Sequence, residues 1–402
     1  MKKKLLALAF AGAFVAQAAM ADTANVNVYG VANLSYDSTS TGATANSTSQ
    51  NKVSSNSSRI GFKGAEDLGG GTSAIWQVES LIGMDGTQNA AQTLNFGAAT
   101  SAAIAASGIA ASTQSVAAQN SNVLGSRNTF VGLSGESWGT VLLGRNDTPY
   151  KTSTRRLDLF ADGIADNRTL MGRGAGAGFD TRNADVVQYD SPNMSGFKAS
   201  IQYTAGAETA TTAGMTKGQT TSLAGMYEAG PIYVALAYQT NNFGSVGSGS
   251  VAPSAAAAAA VNQSERAWKL GGSYTMDAFQ VNAIYESTTD GLNAGVDVGG
   301  HKAYYIGGKF NVSGNDAVKL AYTRSKEVGS PSVANSGANQ VAIGYDHSMS
   351  KRTTVYALYT RLSNDTAGTY ALSSAAVSTA AVANAGADAD PTAFSIGIKH
   401  TF

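Results

Sequence analysis

The sequence FSIGIKHTF, residues 394–402, decides the fold of this chain. In an extended strand, successive side chains point to opposite faces. One face then carries Phe394, Ile396, Ile398, His400 and Phe402, and the other carries Ser395, Gly397, Lys399 and Thr401. Such a strand suits a sheet with lipid on one face and water on the other. A half-buried strand of a soluble protein alternates in the same way.

The same alternation recurs along the chain. Residues 197–203, 268–274 and 318–323 each place apolar side chains on one parity and mostly polar or small ones on the other. The apolar faces tend to end in Tyr, Trp or Phe, which is typical of aromatic girdles at the two surfaces of a bilayer. Strands of a soluble β-sandwich are usually shorter, about 5–6 residues. The pattern therefore favours a membrane barrel.

Short turns and long loops alternate between the strands. Turn sequences such as 67–71, 135–138 and 191–195 separate some strands, and Ser-, Thr-, Asn- and Ala-rich stretches separate the others. Counted in this way, the chain has sixteen strands, an even number as single-chain antiparallel barrels require. Closure removes unpaired strand edges, which lipid does not tolerate. The sequence predicts an all-β fold, a transmembrane 16-stranded antiparallel β-barrel.

The N-terminus has the pattern of a secretory signal peptide. Lys2, Lys3 and Lys4 precede an apolar run over residues 5–15, and residues 19–21, Ala-Met-Ala, fit a cleavage site. The run is too short for a spanning helix, which needs about 20 apolar residues. We therefore expect residues 1–21 to be the signal peptide and residues 22–402 to form one barrel domain.

The composition argues against several classes of function. The chain has 27 basic and 27 acidic residues, so it lacks the positive charge expected of a nucleic-acid partner. It has no cysteine, which excludes disulfide and thiol chemistry. The three histidines, His301, His347 and His400, are far apart, and no His–carboxylate spacing predicts a metal site. We expect no cofactor and no enzymatic activity.

Segments spread over the whole chain resemble the Gram-negative general porins, especially the branch typical of beta-proteobacteria and neisseriae. These segments are NVNVYGVANLSY (25–36), SRIGFKGAEDLGGGTSAIWQVES (58–80), RNTFVGLSGESWGTVLLGRNDTP (127–149), VVQYDSPNMSGFKASIQYT (186–204), YDHSMSKRTTVYALYT (345–360) and FSIGIKHTF (394–402). The resemblance implies an outer-membrane barrel with short periplasmic turns and long extracellular loops, through which small hydrophilic solutes and ions diffuse passively.

The same resemblance implies the partners of the chain. It implies a homotrimer in contact with outer-membrane lipid and lipopolysaccharide. It also implies that the C-terminal strand, ending in Phe402, is an assembly signal for the barrel-assembly machinery. Residues 83–122 are longer and richer in Ala than the second loop of the family, which latches onto a neighbouring subunit.

In these porins the third long loop folds into the lumen and presents acidic groups opposite a basic wall. The matching segment of this chain is residues 146–182. By this resemblance, the loop side of the pore constriction contains Asp158, Asp162 and Asp166. Arg155 and Arg156 lie in the same segment, where they either line the constriction or anchor the loop.

The basic wall is expected on the early strands. Arg59 and Lys63 share a parity opposite to Ile60 and Phe62, so both are expected to point into water.

Two further wall candidates precede the third loop. The same parity test places Arg127 opposite to Phe130. Arg145 lies where the family has an inward arginine at the base of the loop. On the parity of Arg145, Val141 and Leu143 are also expected to point inward.

Charges across a narrow water-filled gap select ions by sign. Arginine stays charged at any relevant pH, so the wall favours anions, and the loop carboxylates soften that preference. We expect a general diffusion porin with a mild anion preference. Two alternatives remain: a substrate-selective channel of the same fold, and an adhesion or structural outer-membrane protein that acts through its loops.

Overall fold

The computed structural model describes residues 26–42, 47–86, 93–94, 114–115, 124–174, 178–206, 218–244, 263–290, 300–326, 334–372 and 386–402. The expected signal peptide, residues 1–21, lies outside these ranges, as does most of the Ala-rich segment 83–122. Within the described residues, no helix has the length and apolar character needed to cross a membrane.

Nineteen strands are present in the described residues. They are β1 (Asn27–Ser40), β2 (Ser49–Ser55), β3 (Arg59–Gly69), β4 (Thr72–Leu81), β5 (Thr93–Leu94), β6 (Gln114–Ser115), β7 (Thr129–Gly135), β8 (Gly139–Asp147), β9 (Arg182–Asp190), β10 (Phe197–Thr204), β11 (Gln219–Ala229), β12 (Ile232–Asn242), β13 (Ser264–Met276), β14 (Phe279–Asp290), β15 (Lys302–Asn311), β16 (Asp316–Ser325), β17 (Ala338–Ser348), β18 (Thr353–Asn364) and β19 (Thr392–Thr401). The two-residue strands β5 and β6 pair only with each other.

The other strands form one closed antiparallel sheet. The first strand, β1, pairs with β19, so that Tyr36 lies opposite Ile396. It also pairs with both β2 and β3, which are two halves of one barrel strand interrupted near Ser57, whose φ is 56°. The seventeen strands of this sheet therefore make sixteen barrel strands. This confirms the fold predicted from the sequence.

Turn length separates the two rims of the barrel. The seven turns on one rim contain two to six residues, whereas the connections on the other rim contain eight or more. The strand pairs joined by short turns are β3–β4, β7–β8, β9–β10, β11–β12, β13–β14, β15–β16 and β17–β18. This is the asymmetry that the sequence predicts for a barrel.

The outer face of the barrel is apolar. On β12, Leu236 and Tyr238 are 55% and 38% exposed, whereas the intervening Ala237 is 2% exposed. The closing strand β19 behaves in the same way, because Ile396 is 52% exposed and Ser395 is 2% exposed. Apolar side chains that alternate outward suit contact with lipid tails.

The segment between β8 and β9, residues 148–181, is called the third loop below, and its described residues, 148–174 and 178–181, enter the barrel. It begins with a short helix, α1 (Pro149–Arg155), in which the Thr148 hydroxyl accepts a hydrogen bond from the backbone N–H of Lys151 at 3.3 Å. Proline suits the first position of a helix, and a threonine cap satisfies a free backbone N–H.

Small residues on the inner wall make room for the third loop. The apolar loop residues Leu157, Phe160, Ile164, Leu170 and Met171 pack against wall residues that include Ala235, Ala303, Ala321 and Ala342. A Cβ on Gly271 would lie 2.6 Å from Leu157 Cδ1, and one on Gly344 would lie 2.7 Å from Phe160 Cε1. The loop therefore has an apolar core of its own against one side of the barrel.

Two expectations about side-chain direction are wrong. Val141 and Leu143 are 38% and 51% exposed, whereas Leu142 between them is 4% exposed, so the former two face outward. The cause is a register shift between Gly144 and Asn146, which breaks the strict alternation of β8.

The parity argument for Arg127 also fails. Val131 is 58% exposed on the outer face, which directs its neighbour Phe130 inward. Arg127 precedes the start of β7 at Thr129, so strand alternation does not fix its direction.

Candidate functional site

The acidic residues of the third loop gather around Arg155. Its guanidinium lies 3.4 Å from Asp158 Oδ2 and 2.8 Å from Asp162 Oδ1, and it also donates to Asp166. Arg168 adds a second cation, 3.0 Å from Asp166 Oδ2. Most of the negative charge predicted to face the pore is therefore paired within the loop.

Burial and pairing act in opposite directions on these carboxyl groups. Burial alone would raise the pKa of Asp166, but Arg155 and Arg168 hold it well below its usual range. Burial, together with repulsion from Asp166, raises the pKa of Asp158 to about 7. The Asp158 carboxylate accepts the backbone N–H groups of Phe160 and Asn167, each at 3.0 Å. Asp158 and Asp166 thus organise the loop from inside.

Asp162 is the loop carboxylate that reaches the opposite wall. Its side chain is 24% exposed, whereas those of Asp158 and Asp166 are at most 1% exposed. Its Oδ2 lies 3.6 Å from Arg59 Nη1 on β3. The backbone of Asp162 is left-handed, with φ of 66°, at the point where the chain turns.

Glu79 on β4 connects Arg59 to Arg127. Arg127 Nε donates to Glu79 Oε1, and Arg59 Nε lies 3.9 Å from Glu79 Oε2. The hydroxyl of Tyr29 donates to the same carboxylate at 3.0 Å. Arg59 and Arg127 are therefore neighbours, held on the lumen wall by an acidic residue that the sequence analysis missed. Its position on the inward parity of β4 was the available signal.

The other two residues predicted for the basic wall, Lys63 and Arg145, lie outside the cluster formed by Arg59, Glu79 and Arg127. Lys63 is exposed, four residues closer to the short-turn rim than Arg59, with Nζ 5.1 Å from the centroid of the Tyr29 ring. Arg145 is half-buried in the irregular part of β8, and its Nε donates to the backbone oxygen of Ser126 at 3.3 Å.

Arg156 turns away from its neighbour Arg155. It forms two hydrogen bonds of 2.7 Å to the carboxylate of Glu228 on β11, and its guanidinium lies 4.2 Å from the Tyr233 ring centroid. Arg156 therefore joins the third loop to the barrel wall.

Buried polar contacts attach the loop to β13 and β14. The hydroxyl of Tyr150 donates to Glu286 at 2.9 Å, and the backbone N–H of Gly172 donates to the same carboxylate at 2.7 Å. Lys269 pairs with Asp180 of the loop. Sequence reasoning missed these anchors because their partners are far apart in the chain.

In the described part of the chain, no group of three or more His, Asp or Glu side chains is arranged to hold a metal ion.

Comparisons with known proteins agree with this geometry. A family model described as Gram-negative porin matches residues 6–367. Outer membrane porin protein 32 of Delftia acidovorans is 27% identical over 408 residues, with all of both chains covered. Major outer membrane protein P.IB of Neisseria sicca is 32% identical over 208 residues, which are 50% of this chain and 47% of that protein.

Two solved structures share the fold. The anion-selective porin from Comamonas acidovorans has a TM-score of 0.72 at 24% identity, covering 94% of this chain and 100% of its own. OmpT of Vibrio cholerae has a TM-score of 0.59 at 15% identity, covering 96% and 99%. Because the family model spans most of the chain, this protein belongs to the Gram-negative porin family and is an outer-membrane channel for passive diffusion.

Proposed function

We propose that this porin favours small anions mildly over cations, and that Arg59, Arg127 and Asp162 set that preference at its constriction. The observation that carries the proposal is the approach of Asp162 to Arg59, at 3.6 Å, while the other two loop aspartates predicted for the constriction, Asp158 and Asp166, are buried against Arg155. The wall arginines therefore face the lumen, whereas most of the negative charge of the loop does not.

Pairing explains why the preference is mild. Glu79 offsets part of the charge of Arg59 and Arg127, and Asp162 offsets more. A narrow water-filled gap with a small excess of positive charge raises the local concentration of anions. A similar structure bears the description anion-selective porin, so this fold is compatible with such selectivity.

Other predicted basic residues have secondary roles in this proposal. Lys63 and Arg145 contribute to the electrostatic potential on either side of the constriction. Arg155 and Arg156 hold the third loop in place through their carboxylate partners.

Reversal potentials in planar bilayers test the proposal. With a potassium chloride gradient across the membrane, we expect a chloride-to-potassium permeability ratio above one. Arg59→Ala and Arg127→Ala should each lower that ratio, because each removes a cation from the wall. If both variants keep the wild-type ratio, these arginines do not set the selectivity.

The same recordings separate the alternative functions. A general diffusion channel gives an ohmic current that no single class of solute blocks. Block by one class of solute would favour a substrate-selective channel, and a folded protein without current would favour an adhesion or structural role.

The proposal extends to processing and assembly of the chain. Residues 1–21 are a cleaved signal peptide, residues 22–402 form the barrel, and three barrels form a homotrimer surrounded by lipid and lipopolysaccharide.

We also propose that Phe402 is the signal for the barrel-assembly machinery. The Phe402 side chain is 46% exposed. The backbone N–H of Phe402 donates a hydrogen bond to the backbone oxygen of Gly30 at 3.1 Å. A Cβ on Gly30 would lie 2.4 Å from the Phe402 ring. Phe402→Ala should lower the yield of assembled barrel, measured by heat-modifiable gel migration.

A further inference from the structure

The tip of the third loop lies between β17 and β3. Phe160 of the loop reaches β17, where Gly344 seats its ring, and Asp162 then approaches Arg59 on β3. In the order of the closed sheet, β18, β19 and β1 lie between β17 and the strand formed by β2 and β3. These three strands therefore form the wall beside the tip of the loop.

Lys399 lies on β19, the middle strand of the three. It shares its parity with Ser395, which is 2% exposed, whereas Ile396 and Ile398 on the other parity are 52% and 46% exposed. Its register partners are Asn33 on β1 and Thr354 on β18. The half-buried Lys399 side chain therefore points into the lumen.

The carboxylates around Lys399 have other cationic partners. The charged groups that act on Lys399 are Asp162, Arg59, Lys319 and Asp346. Asp346 pairs with Lys319 at 2.8 Å, and Asp162 pairs with Arg155 at 2.8 Å as well as with Arg59. Lys399 forms no ion pair with any residue in the described ranges.

Lys319 differs from Lys399 although both are lysines on the inner wall. Its Nζ pairs with Asp346 and also lies 4.9 Å from the centroid of the Phe160 ring. Lys319 is thus held between the wall and the loop, and its charge is largely offset. Among the described residues, Lys399 has no comparable carboxylate partner, so its charge is not offset in this way.

We infer that Lys399 is a further selectivity-determining residue, a lumen-facing cation that extends the basic wall from Arg59 across β1 to β19. Its ligands are small hydrated anions in transit. The inference rests on the anion preference proposed above. For a unit charge about 8 Å from the ion path in water, Coulomb's law with salt screening gives a factor of about two in the local ratio of anions to cations.

The test measures the chloride-to-potassium permeability ratio of the full-length channel. Lys399→Gln should lower the ratio about twofold, and Lys399→Arg should retain the wild-type ratio because it keeps the charge. Lys302→Gln is the matched control, since Lys302 shares the outward parity of Ile306, which is 55% exposed. Heat-modifiable migration and bilayer insertion verify that each variant is folded.

A second measurement changes the charge on one folded channel. The chain has no cysteine, so Lys399→Cys provides a single thiol in the lumen. A cationic methanethiosulfonate reagent should restore the anion preference, and an anionic one should lower it further.

The outcomes distinguish the role of Lys399 from the anion preference proposed for the channel as a whole. If Arg59→Ala lowers the ratio but neither Lys399→Gln nor the modified thiol changes it, the role of Lys399 is disproved and the anion preference stands. If Lys399→Arg lowers the ratio as much as Lys399→Gln, the side chain acts through its shape, which also contradicts the inference. A wild-type channel without anion preference would overturn the proposed function itself.

Discussion

Asp162 in the third loop lies 3.6 Å from Arg59 on β3, which is where the loop meets the opposite wall of the barrel. Arg155 holds Asp162 from inside the loop, and Ser57 accepts a hydrogen bond from Arg59 through its backbone oxygen at 3.0 Å. Asp162 and Arg59 are therefore each held in position by a further contact besides the one between them. Charges fixed in a narrow passage select ions by sign, and the proposed function assigns that role to this pair.

Asp162→Asn should strengthen the anion preference. The substitution removes the loop carboxylate that approaches the wall and leaves Arg59 with less compensation. We expect the chloride-to-potassium permeability ratio to rise about twofold, the effect of one unit charge near the ion path. Asp365→Asn is the control, because Asp365 pairs with Arg324 outside the third loop. An equal rise in both variants would mean that net charge alone, rather than this contact, sets the ratio.

Two adjacent arginines should respond very differently to substitution. Arg155→Met leaves the buried carboxylates of Asp158 and Asp166, and the partly exposed one of Asp162, without their shared cation. Loss of one partner of a buried ion pair typically costs about 3–5 kcal/mol. Arg156→Met breaks an ion pair whose side chains are 50% and 56% exposed, and such pairs contribute about 0–1 kcal/mol. We expect Arg155→Met to loosen the loop and to give noisy single-channel currents, whereas Arg156→Met should keep quiet openings. Equal noise in both variants would contradict the assignment of Arg155 as the centre of the loop.

The barrel could be predicted because lipid imposes a simple rule on each strand. Leu236, Ala237 and Tyr238 alternate as the bilayer requires, and no neighbouring strand is needed to see this. The strand count and the separation of short turns from long loops follow in the same way. The interruption of the second barrel strand at Ser57 was not visible, because it depends on hydrogen bonds to β1.

The charged site could be predicted only in part. The sequence indicated which segment supplies acidic residues, but not that Arg155 would take up Asp158 and Asp166. Those contacts depend on the path of the folded loop, and the loop sequence has no periodic pattern from which that path could be predicted. Lys399 was visible as a water-facing residue of the last strand. Its position beside Asp162 depends on closure of the barrel, which brings together residues far apart in the sequence.

Gly344→Ala should push the tip of the third loop into the lumen. A Cβ at this position would lie 2.7 Å from Phe160 Cε1, too close for a normal contact. We expect a lower single-channel conductance, because the loop can move only away from β17. Gly308→Ala is the matched control, since a Cβ there meets no heavy atom within 4 Å. Wild-type conductance in Gly344→Ala would mean that the ring rotates without moving the loop.

The effect of Asp162 should persist to unusually low pH. Burial would raise the pKa of this carboxyl group, but Arg155, Arg168 and Arg59 together hold it well below its usual range, which is near 3.9. Its ion pairs therefore contribute stability that is fully present above about pH 4 and is lost as pH falls through the lowered pKa. Protonation also removes the negative charge of Asp162, so its contribution to the permeability ratio should be lost only in that acid range. The permeability ratio of the wild type should differ from that of Asp162→Asn by a constant factor from pH 7 to pH 5, and the two should converge only below pH 4. Convergence already near pH 5 would show that the three arginines do not stabilise the charged form of Asp162.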